Sequence, residues 1–203
     1  DADRYFRERA VLTPLNETVD NLNKQLLERL PAKDEVISYS ADKVVMQDED
    51  VDDNASPAEF LNSLNPAGAA PHALHLRAGA VGMLTVNLDR DRGLCNGTRF
   101  IVRHATRRVL TIRVLTGRAA GQIVDVPRTV QALEPDKTKL PFTFHRRQFP
   151  VRLAWVLTIN KAQGQTFARV GVYLTDFTHC GNTVHFGHGD IHSGHIRTKL
   201  LVF

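Results

Sequence analysis

Two long apolar runs near the end of the chain constrain its fold most strongly. Val151–Thr158 and Arg169–Leu174 are largely hydrophobic over their whole length, without the strict alternation of a half-exposed strand. Such runs are typical of strands in parallel sheets, because both faces of a parallel sheet are covered. Parallel strands need a crossover connection, which is usually a helix. The two runs therefore predict an α/β domain.

The first segment of the chain predicts a strand followed by a helix. Arg9–Pro14 is short and apolar, and Asn16 can cap the helix that follows it. A second short helix is predicted over Pro57–Leu64, and a strand-like Lys43–Met46 lies between the two helices. The first helix ends at Pro31, and its apolar residues, at helical spacing, are Val19, Leu22, Leu26, Leu27 and Leu30.

The middle of the chain has a different pattern. Between Ala80 and Gln131, short β-type runs are separated by Gly, Asp and Asn turn signals, and helical periodicity is absent. Four or five short strands in this interval predict a small barrel or meander. The α/β domain is therefore expected to be split around an all-β insert.

Composition narrows the class of protein. The chain has 203 residues, 42% of them hydrophobic, so it can bury a core. No run approaches the roughly 20 apolar residues that span a bilayer, and the first residues lack the apolar stretch of a secretory signal. Cys95 and Cys180 do not suggest a disulfide framework. We expect a cytosolic, nuclear or organellar-matrix protein without a membrane partner.

The distribution of charge along the chain is more informative about possible partners than the net charge. A net charge of +4 is compatible with a polyanionic partner but does not require one. Acidic residues concentrate in Asp48–Asp53, which is expected to be a solvated loop, and basic residues dominate Arg99–Arg118. Without the acidic run, the rest of the chain is distinctly basic.

A polar loop ends the first apolar run abruptly. At the carboxyl end of a strand in an α/β sheet, such a loop lies where ligands bind, and its glycine allows the backbone to approach a phosphate. The same residue types also form ordinary strand-to-helix turns, so composition leaves both interpretations open. The polar residues are Thr158, Asn160, Lys161, Gln163, Gly164, Gln165 and Thr166.

Four longer strings follow one another along the chain: RAVLTPLNETVDNLN, PAEFLNSLNP, GMLTVNLDRDRGLCNGTRF and TINKAQGQT. The last, with RRQFPVRLAW before it and VGVYL after it, resembles motif V of DNA helicases of the petite-integration-frequency type, the Pif-one family of superfamily 1B. This family includes the helicase parts of Helitron transposons. The other three strings are similar to segments of the same family in the same order. The resemblance extends from residue 5 to about residue 178.

This resemblance implies a fold and a set of site residues. The second RecA-like domain of the helicase would comprise residues 1–78 and 149–203, and an inserted barrel of the Src-homology-three type would comprise residues 79–148. The residues expected to contact single-stranded DNA are Thr13, Pro14, Asn16, Thr158, Asn160 and Lys161, and those expected to face the ATP cleft are Gln163, Gly164 and Gln165. Hydroxyls, amides and a lysine can hold phosphates without reading bases.

The resemblance also implies an activity. Members hydrolyse ATP with Mg²⁺ between two RecA-like domains, move 5′ to 3′, and act in DNA repair, recombination and telomere maintenance, in the nucleus or in the mitochondrion. The first domain carries the phosphate-binding G-x-x-x-x-G-K-[ST] loop, which is not found in this sequence. We expect the chain to need that domain of its parent protein as a partner, and to hydrolyse no ATP and bind no cofactor alone. The alternatives are a non-enzymatic single-strand-binding module and an inactive transposon remnant.

The tail departs from the family. The family continues through a Leu-Tyr-Val-Ala-Leu-Ser-Arg string whose arginine stabilises the transferring phosphoryl group, and residues 177–195 lack this string. A shifted reading frame near Thr183–His185 is one explanation, which the gene's nucleotide sequence tests. A loosely packed tail is another. Metal binding is a third, testable by zinc titration, but the spacing is irregular for the candidate ligands His179, Cys180, His185, His188, His192 and His195.

Other positions also differ from the family or remain open. Family members usually carry a β-forming residue at Gly82, so this glycine is expected to weaken its strand. They usually carry an arginine at Val86, whose absence removes one backbone contact. His145, Arg146 and Arg147 are candidate cations near the cleft, and packing of the arginine stems over apolar surface is the alternative.

Overall fold

A computed structural model describes most of the chain, which forms two compact units. The first unit comprises Asp1–Asn23 and Trp155–Phe203, and the second comprises Lys24–Ala154. The described residues are 2–45, 58–66, 69–138 and 140–174, together with the backbone of 185–186, 189–190 and 199–202.

Short strands dominate the described residues. No helix among them combines the length and the apolar character needed to cross a membrane. The helices are α1 (Ala2–Arg7), α2 (Asn16–Glu28), α3 (Ala58–Ser63), α4 (Pro135–Thr138) and α5 (Ile159–Ala162). The strands are β1 (Arg9–Thr13), β2 (Val36–Tyr39), β3 (Ala41–Val45), β4 (Ala73–Leu76), β5 (Val81–Leu84), β6 (Arg99–Ala105), β7 (Val109–Val114), β8 (Ile123–Pro127), β9 (Thr129–Leu133), β10 (Thr143–Gln148), β11 (Val151–Leu153), β12 (Val156–Thr158), β13 (Arg169–Leu174), β14 (His185–Phe186), β15 (Gly189–Asp190) and β16 (Lys199–Val202).

The first unit is built on a four-stranded sheet in the order β12-β1-β13-β16. Strand β1 is parallel to both of its neighbours, and β16 is antiparallel to β13. Ala10 and Leu12 of β1 and Val172 of β13 are buried. The parallel sheet that the apolar runs predict is confirmed, because β1 lies between strands from both runs.

Helix α2 follows β1 as the apolar spacing predicts. It begins at Asn16 and ends at Glu28, three residues before Pro31. Val19 and Leu27 are buried on its apolar side, and a polar residue, Asn23, is buried between them in sequence. The strand and helix predicted for the first segment are therefore confirmed.

The second unit consists mainly of antiparallel sheets. One has five strands in the order β11-β5-β6-β7-β8, another has three in the order β3-β10-β9, and β2 pairs with β4. Each β-type run predicted between Ala80 and Gln131 contains a strand. The strands predicted in this interval are confirmed, whereas the inserted barrel of the Src-homology-three type stays a prediction.

The predicted strand Val151–Thr158 is wrong in one respect, because it is two strands in two sheets. Strand β11 pairs with β5 in the antiparallel sheet of the second unit, and β12 pairs with β1 in the parallel sheet of the first. The chain passes between the units at Ala154 and Trp155. The compact units also differ from the domain division expected from sequence, since residues 24–78 and 149–154 fall in the second unit.

Arg146 is a buried structural residue, so the idea that it is an available cation is wrong. Its side chain and that of Asp42 are each 1% exposed, and Arg146 Nη2 lies 2.7 Å from Asp42 Oδ2. The guanidinium also donates hydrogen bonds to the carbonyls of Leu61, Leu64 and Ala70. A buried charge is tolerated when it is paired and its donors are satisfied. This arginine therefore ties α3 and the segment after it to the central strand of the three-stranded sheet.

Gly82 is required by packing in β5, although its conformational freedom would ordinarily weaken a strand. A Cβ at this position would lie 2.4 Å from Cζ of Phe100 and 3.2 Å from the carbonyl oxygen of Arg152. Phe100, on the paired strand β6, is fully buried. The ring occupies the space that a side chain at position 82 would need.

Arg77 satisfies the carboxyl end of α2. Its Nη1 donates to the carbonyls of Leu27, Glu28 and Leu30, and its Nη2 donates to Glu35 at 3.1 Å. Helix ends leave carbonyls without intrahelical partners, and a cation there also interacts favourably with the helix dipole. Arg77 thus anchors the end of α2 within the second unit.

Asp42→Ala tests the buried ion pair. It leaves the Arg146 guanidinium buried without its carboxylate, and we expect the free energy of unfolding, measured by urea denaturation, to fall by about 3–5 kcal/mol. Lys43→Ala, at the next and exposed position of β3, is the control and should change it by less than about 0.5 kcal/mol. Equal stability of the two variants would contradict the anchoring role.

Gly82→Ala tests the packing of Phe100. The added methyl group meets a buried ring that cannot move freely, so the free energy of unfolding should fall by about 1–3 kcal/mol. Phe100→Leu makes room for the methyl group. The double variant should therefore lose less stability than the two single losses added together, and strict additivity would count against this explanation.

Glu35→Gln tests the ion pair at the end of α2. The hydrogen bond from Arg77 lowers the pKa of Glu35 below its ordinary value, which outweighs the opposing effect of burial. A lowered folded-state pKa means that the carboxylate stabilises the fold above its unfolded pKa of about 4.3, and that this stabilisation disappears as pH falls through the folded pKa. The stability difference between wild type and Glu35→Gln should shrink as urea denaturations move from about pH 7 to about pH 3. A constant difference would refute the linkage.

Candidate nucleic-acid interface

The parallel pairing of β1 and β12 brings two predicted loops to one edge of the sheet. In the register of this pair, Val11 is opposite Val156, Leu12 opposite Leu157, and Thr13 opposite Thr158. Both strands run in the same direction and end at the same level. The segments that follow them therefore leave the sheet side by side, although they are far apart in sequence.

The loop after β1 presents small polar and apolar groups. Thr13 is fully buried, and its Oγ1 has no hydrogen-bond partner among the described residues. Pro14 and Asn16 are exposed, as is Leu15 at 53%. Of the three residues predicted here for DNA contact, Pro14 and Asn16 are accessible, and Thr13 is buried at the end of the strand.

The loop after β12 begins as a short capped helix. Thr158 is 7% exposed, and its Oγ1 accepts a long hydrogen bond of 3.4 Å from the backbone N–H of Lys161. Side-chain oxygens of threonine commonly satisfy the first N–H groups of a helix in this way. Asn160 is exposed and Lys161 is half-buried. The hydroxyl of Thr158 thus shapes the turn, while Asn160 is accessible to a ligand.

A glycine turn closes α5. Gly164 has a φ of 79°, and no described atom lies within 4 Å of the position that its Cβ would occupy. A positive φ is adopted easily only by glycine, so the turn requires this residue. Gln163 is exposed, and Gln165 Nε2 donates to the carbonyl of Lys161 at 3.5 Å. The turn has the geometry of a common helix-ending turn, and the space beside the backbone of Gly164 is open.

Sequence reasoning missed Asn23, which anchors the beginning of β12, the strand that leads to this edge. Its Nδ2 donates to the carbonyl of Val156 at 2.9 Å, and its Oδ1 accepts from the N–H groups of Trp155 and Val156 at 3.1 and 3.0 Å. The side chain is therefore a bridge from α2 to the start of β12. The available signal was a polar residue in an apolar helical stripe, four positions after Val19 and four before Leu27.

The edge has the chemistry of a backbone-binding surface. Among the nine predicted positions there is one cation, Lys161, and no carboxylate or imidazole; the others offer amides, hydroxyls and backbone groups. Such groups bind phosphates and sugars independently of sequence. Within the described part of the chain, no group of three or more His, Cys, Asp or Glu side chains could hold a metal ion.

Two sequence features lie outside the described residues. The acidic run Asp48–Asp53 is one of them. The histidine-rich tail is the other, because only the backbone of 185–186 and 189–190 is described there. The solvated loop, the metal site and the shifted reading frame therefore stay hypotheses.

Comparison with known proteins places these features in a family. Residues 59–104 match the family model described as DNA helicase Pif1, 2B domain. The ATP-dependent DNA helicase PIF1 of Danio rerio is 30% identical over 161 residues, which are 77% of this chain and 22% of that protein. The human ATP-dependent DNA helicase PIF1 is 31% identical over 156 residues, or 75% of this chain and 21% of the human protein. The chain thus spans about a fifth of the length of these relatives.

Solved structures share the fold. The Pif1 helicase from Candida albicans matches 82% of this chain and 39% of its own, with a TM-score of 0.59 and 23% identity. The Pif1 helicase from Bacteroides in complex with ADP-AlF3 and single-stranded DNA matches 86% of this chain and 36% of its own, with a TM-score of 0.58 and 23% identity. Sequence relatives, family model and fold agree, and together they support the assignment of this chain to a Pif1-type helicase.

Proposed function

We propose that this chain binds the backbone of single-stranded DNA at the edge formed by the loops after β1 and β12, as part of an ATP-dependent DNA helicase. The register of β1 and β12, with Thr13 opposite Thr158, carries this proposal. It brings two loops, each assigned to DNA from sequence, to the same place. Pro14, Asn16 and Asn160 make the outer contacts, and Lys161 neutralises a phosphate.

We also propose that the turn after α5 faces an ATP site, with Gln163, Gly164 and Gln165 as the residues next to the nucleotide. The phosphate-binding loop and the Mg²⁺ ligands of this site belong to a first RecA-like domain. The open space beside Gly164 supports this role, since a backbone without a side chain can approach a phosphate closely. The parallel sheet of the first unit then corresponds to the second RecA-like domain, and the antiparallel sheets contribute the insert of the Src-homology-three type.

The names of the relatives support this assignment. Two of them are ATP-dependent DNA helicases, and one solved structure of the same fold is a complex with ADP-AlF3 and single-stranded DNA. By membership of this family, we propose movement from 5′ to 3′ and a role in DNA repair, recombination or telomere maintenance. The nucleus is the proposed location, with the mitochondrion as the second choice.

A non-enzymatic single-strand-binding module or an inactive transposon remnant is the alternative. The gene upstream of the Asp1 codon separates these from the helicase assignment. An in-frame phosphate-binding loop followed by an acidic Mg²⁺ motif supports the helicase, because these are the parts that hydrolysis requires. A gene that begins near the Asp1 codon, without these two motifs, favours the alternative.

Lys161→Gln tests the DNA edge. We expect weaker binding of a labelled single-stranded oligonucleotide, measured by fluorescence anisotropy over a range of salt concentrations. The slope of log Kobs against log salt should decrease in magnitude by about 0.7, the value for one phosphate contact to a single strand. Because backbone contacts carry no base information, the loss should be equal for oligonucleotides of different sequence.

Two further variants sharpen this experiment. Asn160→Ala removes an accessible amide and should weaken binding by about 0.5–1.5 kcal/mol without changing the salt slope. Lys33→Gln removes the same charge from an exposed position outside the edge and serves as the control. An equal loss in Lys33→Gln and Lys161→Gln would show that only net charge matters and would overturn the assignment.

A further inference from the structure

The outward side of the three-stranded sheet β3-β10-β9 carries a cluster of basic side chains. Successive residues of a strand point to opposite faces, and on β10 the buried residues Phe144 and Arg146 alternate with the exposed residues His145 and Arg147. Lys43 of β3 is exposed and lies directly opposite His145. We call Lys43, His145 and Arg147 the basic face.

Within the described part of the chain, no carboxylate neutralises the basic face. Its cations have no ion-pair partner among the described residues, and the acidic residue nearest in β3, Asp42, points inward to Arg146. Opposite charges across a strand pair stabilise a sheet. Lys43 lies opposite His145 rather than opposite a carboxylate, so an ion pair between these strands does not account for the lysine.

The positions beside the basic face are small or apolar. Arg147 is flanked by Ala41 on β3 and Val130 on β9, and His145 is flanked by Ala132 on β9. All three flanking residues are exposed, with Val130 at 59%. Among the described residues, these short neighbours leave the charged ends of Lys43 and Arg147 accessible. An extended chain of negative charges can lie across such a surface.

An arginine and an aromatic residue adjoin the basic face. Arg128, between β8 and β9, donates hydrogen bonds from Nη2 to the carbonyls of Tyr39 and Arg147. These two hydrogen bonds hold the guanidinium of Arg128 next to the backbone of Arg147. Tyr39 is 58% exposed, and its ring lies 5.6 Å from the ring of His72 at a tilt of 46°. Bases of a single strand stack on such rings while cations hold the backbone.

We propose that the basic face, with Arg128 and Tyr39, is a second binding surface for single-stranded DNA. Charge complementarity selects a polyanion. The carbonyls of Tyr39 and Arg147 share the Arg128 guanidinium, and the exposed ring of Tyr39 favours a strand with unpaired bases over a duplex or an acidic peptide. This surface lies wholly in the second unit and does not depend on the edge formed after β1 and β12. It binds in a sequence-independent manner, because it offers only cations and a ring.

The double variant Lys43→Gln/Arg147→Gln tests the surface in the full 203-residue chain. Removing two phosphate contacts should reduce the salt slope for oligo-dT binding by about 1.4 in magnitude, which is twice about 0.7. Arg107→Gln/Arg108→Gln is the matched control, since it removes two exposed cations from the same unit. A slope that changes in the first variant alone supports the proposal. An unchanged slope, or an equal change in both variants, overturns it.

Protection of lysines from acetylation separates the two surfaces. Lys43 reports the basic face, Lys161 reports the edge after β12, and the exposed Lys33 is an internal reference. Protection of Lys43 by oligo-dT supports the present proposal whether or not Lys161 is protected. Protection of Lys161 with no protection of Lys43 overturns it and leaves the proposed function intact.

Two measurements test the choice of partner. Tyr39→Leu keeps an apolar side chain but removes the ring, and should weaken oligo-dT binding about tenfold, equivalent to about 1.4 kcal/mol, without altering the salt slope. Unchanged affinity of Tyr39→Leu overturns the stacking role. A duplex or poly-glutamate that protects Lys43 as well as oligo-dT does, at equal charge, overturns the assignment to single strands.

Discussion

The pairing of one buried strand with neighbours on both sides is the constraint on which the rest of the first unit depends. Strand β1 has β12 at one side and β13 at the other, and buried backbone N–H and C=O groups must find partners. Both partners come from residues beyond Ala154, so the chain must leave after α2 and return at Trp155. The long connection contains a complete second unit, and this is why the fold consists of two units in one chain.

Buried polar side chains secure the points at which this connection is anchored. Asn23 exchanges three hydrogen bonds with the first residues of β12, and Arg77 holds the last carbonyls of α2. Arg146 pairs with Asp42 and reaches three carbonyls that lie far from it in sequence. Each of these side chains forms hydrogen bonds with backbone groups that have no partner in a helix or a sheet. Without such a bond, a buried polar group lowers the stability of the fold. Their positions therefore determine where irregular segments attach to the sheets.

Side chains alternate between the two faces of a strand, so neighbouring basic residues can be buried or accessible. On β10, Arg146 points inward and is neutralised by Asp42, whereas Arg147 points outward without a carboxylate opposite it. Burial also lowers the pKa of Arg99 to about 10, because the charged form is desolvated. Arg99 serves the interior, where its Nη2 donates to the carbonyl of Ala154. Counts of basic residues thus describe binding capacity poorly, and orientation decides which of them can meet a ligand.

The sequence by itself determined the kinds of element and the resemblance to a family. Apolar runs, helical spacing and turn residues depend on local chemistry, so β1, α2 and the strands between Ala80 and Gln131 could be predicted. The loop after β12 could be named from its polar residues, and the loop after β1 from the family resemblance. Tertiary structure alone decided that these loops leave the sheet side by side and that Val151–Thr158 divides between two sheets. It also decided that the ring of Phe100 fills the space beside Gly82. These outcomes depend on partners distant in the chain, and a local pattern carries no information about which distant group will occupy a given space or satisfy a given hydrogen bond.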